Sequence, residues 1–202
     1  IEAFTNSGKY LSNHRTYDPN DPSSYYNVEG LTSPRVRHFL NNICSQEGAV
    51  YLEVGVYAGS TFCAAVQNND MVAAYANDNW SQPNLQPGRE DLNLTLENVT
   101  VDTFVKNLQE NISTETLDFD IQVLNGDSSK LGKKDFKHDV NVIFYDGDNS
   151  EQKMREFFLN MIDFTEDVFT LVIHDANIEE NVAITKRFID AMGFKVLFER
   201  EL

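Results

Sequence analysis

Basic residues are few in this chain: 16 Lys plus Arg stand against 32 Asp plus Glu, a formal net charge of -16. Phosphate backbones and anionic lipid capture proteins through clustered Lys and Arg, so neither nucleic acid nor a membrane surface is an expected partner. Long apolar runs are missing as well. None approaches the ~20 residues needed to cross a bilayer, and the first residues lack the basic and apolar stretches of a secretory signal. The chain therefore reads as soluble and cytoplasmic. Cysteine is limited to Cys44 and Cys63, each in an apolar helical pattern without a Cys or His at metal-ligand spacing. That excludes a disulfide framework and a zinc cluster, and leaves two buried thiols in a reducing compartment. Sequons at Asn79, Asn93, Asn98 and Asn111 are read as chance products of an Asn-rich chain.

What is present is ordinary for a globular domain: 41% hydrophobic and 24% charged residues over a length of 202. Residues 1–30 read as an irregular arm, because Ser12 to Tyr26 is rich in Asn, Asp, Pro, Ser and Tyr and has no apolar period. Tyr17, Tyr25 and Tyr26 suit a lid folded over a site as well as they suit a flexible tail. Residues 31–202 read as one domain. Thr32 and Ser33 are candidate caps, Pro34 fits a first helical turn, and Val36, Phe39, Leu40 and Ile43 share one helical face. Ala49 to Val56 is a compact apolar run suited to a buried strand, Gly55 and Gly59 bracket a turn, and Ser60 to Val66 resumes as a helix.

The alternation continues with strands expected at Met71–Ala76, Ile121–Leu124, Val140–Tyr145, Phe169–Ile173 and Phe194–Phe198. Helices are expected within Leu92–Leu108, around Met154 to Met161 and around Val182 to Ile189. Such a chain predicts a Rossmann-like α/β fold: a doubly wound, mainly parallel sheet with helices on both faces.

In this architecture the ligand crevice lies outside the carboxyl ends of the strands. The first five expected strands all end in acid: Glu53, Asp78, Asp127, Asp146 with Asp148, and Asp175. Carboxylates accept hydrogen bonds and stabilise cations, so the pattern favours a ligand with hydroxyls and a positive centre. Gly55 and Gly59 allow close backbone approach, and Asp78, 25 residues beyond Glu53, is placed to accept both hydroxyls of a ribose. A Gly-x-Gly-x-x-Gly turn and a Gly-Lys-Ser/Thr loop are both absent, which argues against a pyrophosphate.

The segment Glu53-x-Gly55-x-x-x-Gly59 resembles the first motif of class I S-adenosylmethionine-dependent methyltransferases, and Asp78-Asn79-Trp80 resembles their second. Phe144 to Ser150 and Val172 to Asp175 are similar to later motifs of a small-molecule subgroup with an Asp-Gly-Asp-His-Ser signature, although Asn149 stands where that subgroup has His. The resemblance runs from Ala49 to the end and implies the class I methyltransferase fold. That fold adds an antiparallel seventh strand after the sixth, whereas the sequence stops at Leu202 just after the expected sixth, so that either the fold is trimmed here or the chain is incomplete. Glu53, Gly55, Tyr57, Gly59 and Ser60 would line the methionine and ribose side of S-adenosylmethionine, and Asp78 would hold the ribose. Trp80 would flank adenine, Asp127 and Ser128 would meet its edge, and Asp146 would sit beside the amine and sulfonium.

An oxygen acceptor must also lose its proton, for which His174, Asp148 and Asp146 are the candidates in that order; a histidine that merely caps the fifth strand is the plainer account of His174. Asp146, Asp148, Asp175 and Asn177 also resemble the oxygen ligands by which catechol-type methyltransferases hold a divalent cation such as Mg. Strand-end caps and cofactor contacts explain Asp146, Asp175 and Asn177 without a metal. The expected activity is methyl transfer to a small-molecule acceptor, at oxygen, in a monomer or homo-oligomer. The competing expectations are an inactive binding module that keeps the cofactor fold, and an NAD-dependent oxidoreductase.

Overall fold

A computed structural model describes residues 2–12, 28, 30, 32–81, 99–112 and 118–201. A short helix α1 (Glu2–Ser7) packs on α2 (Pro34–Cys44). The start of α2 follows its sequence signal: the Ser33 hydroxyl accepts the Val36 N–H at 3.3 Å, and Pro34 sits in the first turn, where a missing N–H costs nothing. The strands are β1 (Val50–Val54), β2 (Ala73–Asp78), β3 (Asp120–Asn125), β4 (Val140–Tyr145) and β5 (Thr165–Ile173). Between and after them run α3 (Ser60–Val66), α4 (Val101–Asn111), α5 (Glu151–Met161) and α6 (Glu179–Met192).

All described strands pair in parallel, in the order β3-β2-β1-β4-β5. The chain steps outward from β1 to β3 and then returns to β4 on the other side of β1. The crevice between the ends of β1 and β4 is therefore the topological switch point. Every residue of β1 is buried because helices cover both faces, and alternate side chains enter different cores. Tyr51 packs with residues of α2, α3 and α4, while Val50, Leu52 and Val54 pack with those of α5 and α6. Glu53 shares the Tyr51 face, so its carboxyl is aimed at α3 rather than out into the crevice. On the opposite face, rings of Tyr145, Phe157, Phe158, Phe164 and Phe188 lie 4.9–6.4 Å apart, each contact worth ~0.5–1.5 kcal/mol beyond area burial.

The expected strand at Phe194–Phe198 is not formed. Phe194 is drawn against Phe169 and Phe188, and Glu199 pairs with Lys186 at 3.1 Å, so this segment follows α6 instead of laddering onto β5. Val196, Leu197 and Phe198 are left exposed. A short apolar run makes a strand only where a neighbouring edge takes up its amides. β5 also starts at Thr165, four residues before the apolar signal at Phe169, because Val140 and Thr165 already pair. The Tyr-rich part of the arm, with Tyr17, Tyr25 and Tyr26, lies outside the described residues, as do residues 92–98 of the expected Leu92–Leu108 helix.

Candidate functional site

Hydrogen bonds carry the ladder beyond the strand ends and lock the crevice. The Gly55 N–H donates to the Asn77 carbonyl at 2.9 Å, Asp146 N–H to Val54 at 2.8 Å, and His174 N–H to Tyr145 at 2.9 Å. Gly55 has φ +86°, and a Cβ there would lie 2.0 Å from the Asp146 carbonyl oxygen. Only glycine satisfies both the left-handed backbone and that approach. Gly59, at φ +93°, is pressed against Phe104 of α4, whose ring edge would lie 2.7 Å from a Cβ.

Asp78 ties two turns together. Its Oδ2 accepts the Tyr57 N–H and its Oδ1 the Trp80 N–H, both at 2.7 Å. Tyr57 (φ 52°) and Trp80 (φ 43°) are both left-handed without being glycine, a strained state that persists where surroundings over-determine it. The Trp80 indole N–H donates to the Tyr57 carbonyl at 3.0 Å, and the indole leans on Phe104 with centroids 6.0 Å apart. Asn107 of α4 donates to the Ala58 carbonyl at 2.9 Å and completes the support of the glycine turn. Phe104 and Asn107 were not legible as site residues: a core Phe and a helical Asn carry no motif.

Glu53 is fully buried and accepts hydroxyl hydrogen bonds from Tyr51 and Thr61, each at 2.5 Å. Burial pushes its carboxyl up to about 8, against the lowering effect of the two hydroxyls, with Asp146 and Asp78 adding to the rise. Ser60, one residue past Gly59, is buried, and its Oγ has no hydrogen-bond partner among the described residues. Asp127 is held down to about 2, chiefly by Lys153, whose Nζ lies 2.6 Å from Oδ2; its Oδ1 accepts the backbone N–H and hydroxyl of Ser129. Ser128 opens the short 3₁₀ turn that Asp127 caps.

Asp146, His174 and Asp175 converge. His174 Nδ1 lies 2.9 Å from Asp146 Oδ1 and 3.4 Å from Asp175 Oδ1, ion pairs by distance, although neither oxygen lies along the ring N–H direction. The neighbouring Asp146 carboxylate raises the imidazole above its ordinary 6.5, against the opposing effect of burial. Burial raises Asp146 itself, with His174 working the other way. Asp175 is left-handed at φ 53°. One ligand atom from each of the three lies within 4.8 Å of the others, a set able to hold a divalent cation with one nitrogen and two oxygens. Asn177 is exposed in the turn that follows. Asp148 is exposed too, and its Oδ1 accepts the Ser150 N–H at 2.8 Å, which ties it to the start of α5.

A family model described as a methyltransferase domain matches residues 52–176, which takes in the glycine turn, Asp78 and the Asp146–His174–Asp175 group. The chain belongs to this methyltransferase-domain family. No curated protein matches it. Solved structures share the methyltransferase-type fold at low identity. Precorrin 8w decarboxylase of Methanobacterium thermoautotrophicum is 15% identical, with a TM-score of 0.52 over 87% of this chain and 77% of that one. A ribosomal protein L11 methylase of Lactobacillus delbrueckii subsp. bulgaricus is 10% identical, with a TM-score of 0.51 over 83% and 72%. The O-methyltransferase TomG of Streptomyces achromogenes, solved with SAM, is 13% identical, with a TM-score of 0.50 over 97% and 79%.

Proposed function

We propose that this methyltransferase-family chain transfers a methyl group from S-adenosylmethionine to an oxygen of a small-molecule acceptor. The observation that carries the reading is that the family match covers one crevice, in which a glycine turn, a ribose-type carboxylate and a carboxylate–histidine group meet at the switch point. The residues fit the cofactor: the turn at Gly55 to Gly59 leaves the Ser60 hydroxyl buried and unpaired, and Asp78 keeps spare lone pairs for two ribose hydroxyls. Trp80 would flank adenine, with Asp127 and Ser128 at its edge, and Tyr57 and Asp146 would attend the methionine side. Glu53 would support from beneath, through Thr61. When bound, the cofactor supplies an electrophilic methyl carbon on a sulfonium.

The chain's own task is alignment, exclusion of water and removal of one proton. His174 would take the acceptor's proton at Nε2, since its Nδ1 edge faces Asp146 and Asp175. The net charge of -16 supports a small acceptor over RNA. A second reading rests on the same trio: Asp146, His174 and Asp175 would hold a divalent cation able to lower the acceptor's pKa. Calorimetric titration with S-adenosylmethionine and S-adenosylhomocysteine, with NAD as competitor, tests the cofactor. Micromolar binding indifferent to NAD is the expected result, and a folded protein that binds neither sinks the reading in favour of an inactive module. Acceptor screens with Mg²⁺, with Mn²⁺ and with chelator separate the metal reading from histidine alone.

A further inference from the structure

The turn that follows β3 is gripped from α5. Lys153 Nζ lies 2.6 Å from Asp127 Oδ2, 3.1 Å from Ser129 Oγ and 3.6 Å from Glu156 Oε2. Two helical turns further along α5, the Asn160 amide donates to the Ser129 carbonyl at 2.7 Å. Lys153 stands in the first turn of α5, where a cation works against the helix dipole, so the helix itself gives no reason for it. Its pairing with Asp127 adds little stability either, since the two side chains are 32% and 30% exposed. Three oxygens already surround its three N–H groups, which commits the ammonium to the protein and leaves no donor for an anionic ligand.

What this grip fixes is Asp127. Its Oδ1 accepts the Ser129 N–H at 3.0 Å and the Ser129 hydroxyl at 2.8 Å, which fills both lone pairs of that oxygen. Among the described residues Oδ2 accepts only from Lys153, so one lone pair of Oδ2 is left. The carboxyl is held down to about 2, so this position carries no proton near neutral pH.

We propose that Lys153 is a positioning and specificity-determining residue for the base of the cofactor: by occupying one side of Oδ2 it leaves Asp127 a single, acceptor-only position that takes an exocyclic amine and refuses an oxo group. The proposal rests on the methyl-transfer reading, in which Asp127 meets the edge of adenine. Adenine presents an N–H at its 6-position and hypoxanthine an oxygen; a fixed carboxylate pairs with the first and repels the second. A carboxyl free to turn aside or to take up a proton would tolerate both.

The test is calorimetric titration with S-adenosylhomocysteine and with S-inosylhomocysteine, its 6-oxo counterpart. Wild-type protein should prefer the first ~10-fold or more, the loss expected for one hydrogen bond to a charged group. Lys153→Met should bring that preference below about threefold, because the difference between the two affinities depends on the fixed acceptor. Lys153→Arg, which keeps a cation suited to a carboxylate, should retain the preference within about twofold. A lysine that merely stabilises the turn would leave the ratio of the two affinities untouched, so equal weakening of both ligands by Lys153→Met, or of neither, overturns the proposal. Lys153→Ala decides the matter by the same ratio if Lys153→Met does not fold. Wild-type protein that binds neither ligand would overturn the methyl-transfer reading beneath; wild-type protein that binds the two alike would overturn the role given to Lys153 alone.

Discussion

Replacing Glu53 with Gln isolates the cost of a carboxyl sealed under the glycine turn. Its folded value of about 8 exceeds the ordinary 4.5, so between those values the folded state keeps a proton that the unfolded chain has released. Stability contributed by that proton is complete below 4.5 and is lost as pH rises through 8. At about 1.4 kcal/mol per pKa unit, the whole difference comes to about 5 kcal/mol. Gln is neutral at every pH and has the shape of the protonated carboxyl, and its amide can serve both the Tyr51 and Thr61 hydroxyls. The two proteins should therefore be nearly equal in stability at pH 5, and Glu53→Gln should lead by several kcal/mol at pH 8 to 9. Urea unfolding at intervals across that range measures it, and other titrations cancel in the difference. Parallel curves for the two proteins would refute the argument, since they would mean that Glu53 is ionised in the fold or exchanges its proton at an ordinary pH.

Gly55→Ala places a methyl 2.0 Å from the Asp146 carbonyl at φ +86°; a loss above ~3 kcal/mol in thermal melts is expected, and a change under ~1 would show that the strand ends separate easily. Phe104→Ala should cost ~3–5 kcal/mol and also weaken cofactor binding, because Gly59 and Trp80 both rest on that ring; normal affinity in a destabilised variant would deny the ring its part in the site. His174→Asn should cut turnover ~10²–10⁴-fold with S-adenosylhomocysteine affinity nearly intact. In the wild type kcat/KM should rise through a pKa above 6.5, which Asp146→Asn lowers; a flat profile removes His174 as the base. Lys153→Met should let the Asp127 carboxyl climb from about 2 towards 3.8 in an NMR titration, and no movement would mean that Ser129 alone holds it down.

The sequence made the parallel sheet readable because β1, β2 and β4 are covered on both faces and therefore appear as mostly apolar runs, interrupted only by Glu53, by Asn77 and Asp78, and by Asn141. The expected β4 coincides with the observed Val140–Tyr145, and the helix at Ser60–Val66 is found at those residues. The pattern failed at the sheet's edge, where half-buried residues carry less signal: β5 begins in Thr165-Glu166-Asp167, and the apolar Phe194–Phe198 joins no strand among the described residues. Helix α1 was invisible because six residues cannot display a helical period. At the site, the strand-end acids were legible as a group, but their separate environments were not. Glu53 is the last residue but one of β1 and Asp78 the last of β2; the first faces a helix and loses its water, the second faces a turn and binds two amides. That difference depends on which way each of these side chains points relative to layers the sequence does not display.

The clasp at Asp78 bears on redesign. A carboxylate at the end of a second strand is the usual target for switching which nucleotide a crevice of this kind accepts, on the view that the side chain answers only to the ligand. Here the same two oxygens hold the Tyr57 and Trp80 amides and keep both residues left-handed. On the proposed reading of Asp78 as the ribose carboxylate, altering cofactor preference would therefore require replacing two loops together with the acid, with glycine or asparagine at 57 and 80 to remove the need for the clasp.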